Sequence, residues 1–216
     1  MTKDKNHIPA HKYNWMTQFY DNLISNFLRE KTFKSKLIES IASANPKHIL
    51  DIGCGTATLS LMLENSYREA CVTGLDGDEK ILAIAKQKIE HGHSKVKLIQ
   101  AMSYQIPVSS NLFHVVTSSL MLHHLHADVK TKTLVEVYRV LQPGGIIAIA
   151  DWGTPSNLLM RLVFYIVQFL DGFETTTDNV RGKIPEYLSN AGFRDVREIE
   201  KLDTMLGTIS IYQGKK

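Results

Sequence analysis

The chain has 216 residues, 44% of them hydrophobic, enough for one domain with a sizeable core and short for two. Its 25 basic and 22 acidic residues leave a formal charge of +3 and are dispersed rather than grouped in Lys/Arg blocks, which argues against a nucleic-acid surface. The opening MTKDKNHIPAHKYNW lacks the apolar run of a secretory signal, and the longest apolar stretch, Leu158 to Leu170, carries Arg161 and Gln168 and falls short of the roughly 20 residues a bilayer span needs.

Residues 14 to 44 read as helical, with Phe19, Leu23, Phe27 and Leu28 at helical spacing, then Phe33, Leu37, Ile38 and Ile41. Asn45-Pro46 stops the run. Strands and helices then alternate: strand His48–Ile52, helix Thr58–Asn65, strand Ala70–Asp76, helix Glu79–His91, strand Val96–Gln100, strand Phe113–Ser118, helix Val129–Leu141 and strand Ile146–Asp151. Gln142-Pro143-Gly144-Gly145 reads as a helix stop and a turn. Beyond Asp151 come an apolar helix, an irregular polar stretch Asp171–Asp178, a short helix Val180–Ala191 and two β-like segments, Asp195–Leu202 and Thr208–Gln213, suited to an antiparallel hairpin at the sheet edge. Strand–helix alternation predicts an α/β fold with parallel strands and helices on both faces. The expected division is one domain: a helical cap over 1–45, a core over 46–151, a substrate-side segment over 152–192 and a strand pair over 193–216. Cys54 and Cys71 fall at opposite ends of neighbouring strands, roughly 16 Å apart for a strand of about five residues, so free thiols and a cytoplasmic setting are expected.

The segment HILDIGCGTATLSLML runs from a buried strand through Asp51, Gly53, Cys54 and Gly55 into an apolar-faced helix. Glycines at such a turn let the backbone approach a small ligand at the carboxyl end of the sheet. The dinucleotide fingerprint requires a glycine where this chain has Thr58, and a carboxylate at Asp51 repels a pyrophosphate but attracts an ammonium group. S-adenosylmethionine, with an ammonium, a sulfonium and no phosphate, satisfies both constraints. Asp76, ending the second strand 21 residues beyond Gly55, is placed to accept hydrogen bonds from ribose hydroxyls, while Asp78 suits a helix N-cap.

Together ILDIGCGTA, VTGLDGDEKILAIAKQK, AMSYQIPVSSNLFHVVTSSLMLHHL and VLQPGGIIAIADW resemble the successive motifs of class I S-adenosylmethionine-dependent methyltransferases, in the branch similar to ubiquinone/menaquinone-biosynthesis methyltransferases. The resemblance implies a Rossmann-like, seven-stranded, mostly parallel sheet with an antiparallel last strand. It also implies cofactor contacts at Asp51, Gly53, Gly55, Asp76 and the ends of the third and fourth strands. We add Cys54, Gly77, Ser118 and Ser119 from the turns themselves, and Tyr20 from the N-terminal helix. Two positions depart from the family: its third loop glycine is Ala57 here, and the acid that commonly meets the adenine amino group aligns with Met102, leaving Met102 packing and Ser103 to hold the ring.

Methyl transfer from a sulfonium is an in-line displacement for which the protein mainly supplies alignment and exclusion of water. A base is needed only where the acceptor must lose a proton. His124 and Asp151 are the candidate catalytic residues, with His123 and Trp152 beside them, although Asp151 also suits a cap for a helix beginning near Ser156. No cysteine or carboxylate cluster with ligand spacing lies near His123-His124-Leu125-His126 in the sequence, so no metal is expected. A small, partly apolar acceptor fits the aromatic segments: Tyr13, Trp15 and Tyr20 on one side; Phe164, Tyr165, Phe169 and Phe173 with Asp171, Glu174 and Arg181 on the other. Nucleic acid is not expected as a partner, stable membrane insertion is not expected though peripheral contact is compatible, and a monomer or homodimer fits. A non-catalytic cofactor-binding protein and a nucleotide-dependent oxidoreductase are the alternatives.

Overall fold

The computed structural model describes residues 29–216. The helical pattern before residue 29, with Tyr13, Trp15 and Tyr20, lies outside the described residues. Seven strands form one sheet: β1 His48–Ile52, β2 Cys71–Asp76, β3 Lys97–Gln100, β4 Phe113–Ser119, β5 Leu141–Trp152, β6 Arg194–Asp203 and β7 Thr208–Lys215, in the order β3-β2-β1-β4-β5-β7-β6. The first five run parallel, and β7 is antiparallel to β5 and to β6. The two β-like segments expected at the end therefore do form a hairpin, with its second strand seated against β5. The chain order reverses between β1 and β4, which opens a crevice at their carboxyl ends.

The central strands are apolar on both faces because helices cover both. Ile49, Val115 and Ala148 point into one core with Phe33 and Leu37 of α1 (Glu30–Ser40) and Leu59 and Leu63 of α2 (Thr58–Ser66). Their neighbours Leu50, Val116 and Ile147 point into the other with Leu134 and Val137 of α4 (Ala127–Val140) and Ile184 and Leu188 of α7 (Ile184–Asn190). Between these, α3 (Glu79–His91) starts where Asp78 accepts hydrogen bonds from the Lys80 and Ile81 N–H groups at 2.8 and 3.3 Å, as its position in the sequence indicates.

Two boundaries differ from the expectation. Gln142-Pro143-Gly144-Gly145 is not a separate turn but the irregular start of β5, where the register to β4 shifts and Gly144 takes φ +80°. The polar stretch after Asp171 is helical: α5 (Leu158–Asp171) is followed at Gly172 by α6 (Phe173–Val180). Poor helix formers fill α6, but its Thr176 and Asn179 are fully buried and hydrogen-bonded to Gln168 and Asp151, so tertiary bonds override propensity. Neither Cys54 nor Cys71 is in a disulfide, and no helix of the described residues is long and apolar enough to cross a membrane.

Candidate active site

Beyond β1 the backbone turns through Gly53 (φ +65°), Gly55 (φ +54°) and Ala57 (φ +61°), left-handed conformations that glycine adopts without strain. The two glycines serve different ends. A Cβ on Gly53 would lie 2.3 Å from Met121 Cγ, whereas one on Gly55 would meet nothing within 4 Å. Gly53 is thus required by the protein's own packing, and Gly55 borders open space. Asp76 ties this turn to the end of β2: its Oδ2 accepts from the Gly55 N–H and its Oδ1 from the Asp78 N–H, both at 2.9 Å. Each carboxylate oxygen keeps a lone pair for a further donor. Met102 lies over Gly77, where a Cβ would come within 2.8 Å of its Sδ, so a thioether forms the wall on which the family's acid would stand.

Several expected ligand contacts sit beneath this surface. Asp51 is 1% exposed and accepts from Ser60 Oγ at 2.7 Å and Thr117 Oγ1 at 3.1 Å. Burial pushes its carboxyl up to about 6, against the lowering effect of the Ser60 bond and of Lys34. Through these bonds it ties β1 to α2 and β4 beneath the turn. Cys54 fills the space left by Gly74, where a Cβ would be 2.9 Å from its Sγ; burial pushes that thiol up. The Ser103 hydroxyl bonds Thr133 Oγ1 at 2.9 Å, and Ser118 is fully buried while Ser119 at the end of β4 is only partly so.

On the other side of the crevice, β4 ends at Ser119 and the chain turns at Leu120 (φ +52°) into a 3₁₀ turn, Leu122–His124. Asp151 anchors it. This fully buried carboxylate accepts from the N–H groups of Trp152 (2.7 Å) and Leu122 (2.8 Å), from His123 Nδ1 (2.7 Å) and from Asn179 Nδ2 (3.1 Å). Asp151 is desolvated, yet His123 and the bonded donors hold its pKa below the ordinary carboxylate range. Asp151 is fully enclosed rather than open to the crevice, and the histidine it holds is His123. It does not cap the next helix, since Asn157 does so by accepting from the Met160 N–H at 2.9 Å. His124 is exposed and lies against His123 with ring centroids 3.9 Å apart; the adjacent His123 imidazole, then desolvation, lowers its pKa.

Sequence reasoning missed two members of this network. Lys130 is 1% exposed, and its Nζ donates to Thr175 O at 2.7 Å and Asn179 Oδ1 at 3.0 Å. Asn179 thereby links Lys130 to Asp151. An unpaired buried ammonium is costly, so a lysine at the buried helix position beside Val129 was the available signal. Phe164 was expected to line the acceptor pocket, but it is 2% exposed and packs edge-on against Trp152 at 5.0 Å. The exposed aromatics of α5 and its neighbour are Tyr165, Phe169 and Phe173. Glu174 and Arg181 are exposed, Glu174 lying 3.4 Å from His126 Nδ1.

Comparison with known proteins agrees with this geometry. A methyltransferase-domain model matches residues 49–145, the stretch from β1 through the glycine turn to the start of β5. An uncharacterized methyltransferase of Synechocystis is 28% identical over 190 residues, covering 88% of this chain and 87% of that one. The demethylmenaquinone methyltransferase of Thermus thermophilus is 29% identical over 170 residues, covering 76% of each. The chain belongs to the class I S-adenosylmethionine-dependent methyltransferases. Human N-acetylserotonin methyltransferase, solved in complex with S-adenosylmethionine, shares the fold with a TM-score of 0.65 at 17% identity, over 85% of this chain and 51% of that one. S-adenosylmethionine is the cofactor of this methyltransferase. The oxidoreductase alternative is thereby set aside.

Proposed function

We propose that this methyltransferase holds its cofactor with Asp76 on the ribose, Gly55 beneath it and Met102 against the adenine, and passes the methyl group to a small, partly apolar acceptor arriving from the side of His123 and α5. S-adenosylmethionine supplies a methyl group already bonded to a good leaving group. The protein's part is to align the acceptor and keep water out. The observation that carries the acceptor reading is the surface of α5: Leu159, Leu162, Ile166, Phe169 and Leu170 are 55–82% exposed, and the last residue of this apolar helix, Asp171, stands 3.6 Å from His123 Nε2. An apolar surface thus ends at the polar groups of the site, the composition of a small-ligand pocket. The demethylmenaquinone methyltransferases among the relatives support an acceptor of quinone type. We read the chain as one functional unit acting in the cytoplasm, as a monomer or homodimer, in peripheral contact with a membrane at most.

The test is titration of the purified chain with S-adenosylmethionine and its demethylated product, followed by turnover with quinol, nucleic-acid and protein acceptors. Turnover of a quinol that is lost in Phe169→Ser with cofactor affinity intact supports the reading. Turnover with nucleic acid or protein alone overturns it. Phe169, 82% exposed, is the suitable probe, whereas Phe164 is core and its truncation tests folding.

A further inference from the structure

We propose that His123, His124 and Asp171 form a binding site for a divalent transition-metal ion on the acceptor side of the crevice. The ring nitrogens of the two histidines and a carboxylate oxygen of Asp171 all lie within 4.8 Å of one another. His123 donates its Nδ1–H to Asp151 at 2.7 Å, which leaves Nε2 with a lone pair. That lone pair faces Asp171 Oδ2 at 3.6 Å. A shared proton would draw them to about 2.7–2.9 Å, while two ligands bonded to zinc at about 2.0–2.1 Å with a tetrahedral angle stand roughly 3.3–3.4 Å apart. The observed 3.6 Å is too long for a shared proton and within a few tenths of an ångström of that ligand spacing.

A second observation concerns the other side of the His123 ring. A metal-bound histidine ordinarily donates its other N–H to a carboxylate, which fixes the ring and raises its basicity. Asp151 does this, and it is itself fully buried and held by the Trp152 and Leu122 N–H groups and by Asn179. The imidazole plane is therefore set by the fold, not by solvent. His124 is exposed, and the Asp171 side chain is 29% exposed at the end of α5. Two nitrogens and one carboxylate suit zinc and its first-row neighbours rather than magnesium or calcium. Three protein ligands leave positions open, as in a site that takes an oxygen ligand from outside rather than a closed structural site.

The proposal is tested on the full chain stripped with a chelator and titrated with Zn²⁺ by calorimetry, with Co²⁺ absorption as a second readout. One site of micromolar or tighter affinity is expected, lost by at least a hundred-fold in His123→Ala and in Asp171→Asn. Asp151→Asn is expected to weaken it by about 10–100-fold, and His126→Ala to leave it unchanged. Circular dichroism and cofactor titration establish folding; should Asp151→Asn fail to fold, Asp171→Asn decides alone. The proposal is overturned by a Zn²⁺ isotherm that is the same in the wild type, His123→Ala and Asp171→Asn, or by wild-type affinity weaker than millimolar. Methyl transfer stands or falls on the cofactor titration instead.

Discussion

The turn after β1 and the 3₁₀ turn after β4 lie on one edge of the same sheet and touch through Met121 over Gly53, yet they are assembled in opposite ways. The first is made almost wholly from Gly53 to Asp78, two strand ends joined by one helix, and its bonds run from Asp76 to the backbone of Gly55 and Asp78. The second draws His123 from the end of β4, Lys130 from α4, Asp151 from β5, Asp171 from α5 and Asn179 from α6. A backbone-and-glycine site can be written in one stretch of chain. A network of buried charges needs partners from every direction, because each must be satisfied where water cannot reach.

The largest expected effect tests the first region. Asp76→Ala should lower S-adenosylmethionine affinity a hundred-fold or more, since charged hydrogen bonds are worth about 1.5–3 kcal/mol each and two are proposed. Calorimetry on a variant with wild-type circular dichroism checks this, and unchanged affinity would remove the ribose assignment. In the second region, Asp151→Asn should cost about 3–5 kcal/mol of stability, the usual result of removing one partner from a buried charged pair. Urea unfolding reads it, with cofactor affinity changed little. A variant as stable as the wild type would mean the network is not held together by Asp151.

Asp51 separates the regions by pH. Its folded-state carboxyl sits at about 6 against an ordinary 3.8, so between those values the folded chain binds a proton that the unfolded chain has released. The contribution to stability is fully present below about pH 4 and is lost as pH rises through 6. At about 1.4 kcal/mol per pH unit it amounts to roughly 3 kcal/mol. Asp51→Asn should flatten that slope, and a wild-type stability independent of pH over this range would contradict the burial argument. The smallest effect is at Gly55: Gly55→Ala should cost about 1–2 kcal/mol through its φ of +54° and weaken cofactor binding through the methyl placed in open space. Cofactor affinity equal to wild type would show that the ligand does not approach there.

The legibility of the sequence follows the same division. The order of strands and helices from His48 to Asp151, the cap at Asp78 and the glycine turn were readable because each is decided by neighbours along the chain. Asp51, Cys54 and Ser118 were assigned to the ligand because proximity in sequence to a glycine turn does not say which side chains face outward. Strand alternation and the fit of Cys54 into Gly74 put them underneath. Which of the adjacent His123 and His124 Asp151 holds is visible only in the fold, since nothing local distinguishes them.

By itself, then, the sequence determined the parallel α/β sheet, the glycine turn at its carboxyl edge and the cofactor class, since apolar periodicity, glycine spacing and the identity of one acidic residue at a strand end are short-range properties. Only the tertiary structure decided that β7 inserts between β5 and β6, that Phe164 is core while Phe169 is surface, and that His123 stands between two carboxylates. Asp151 and Asp171 are 28 and 48 residues beyond His123 in the chain. They reach it because β5 lies beside β4 and α5 returns across the end of the sheet, so long-range packing sets the chemistry on that side of the crevice.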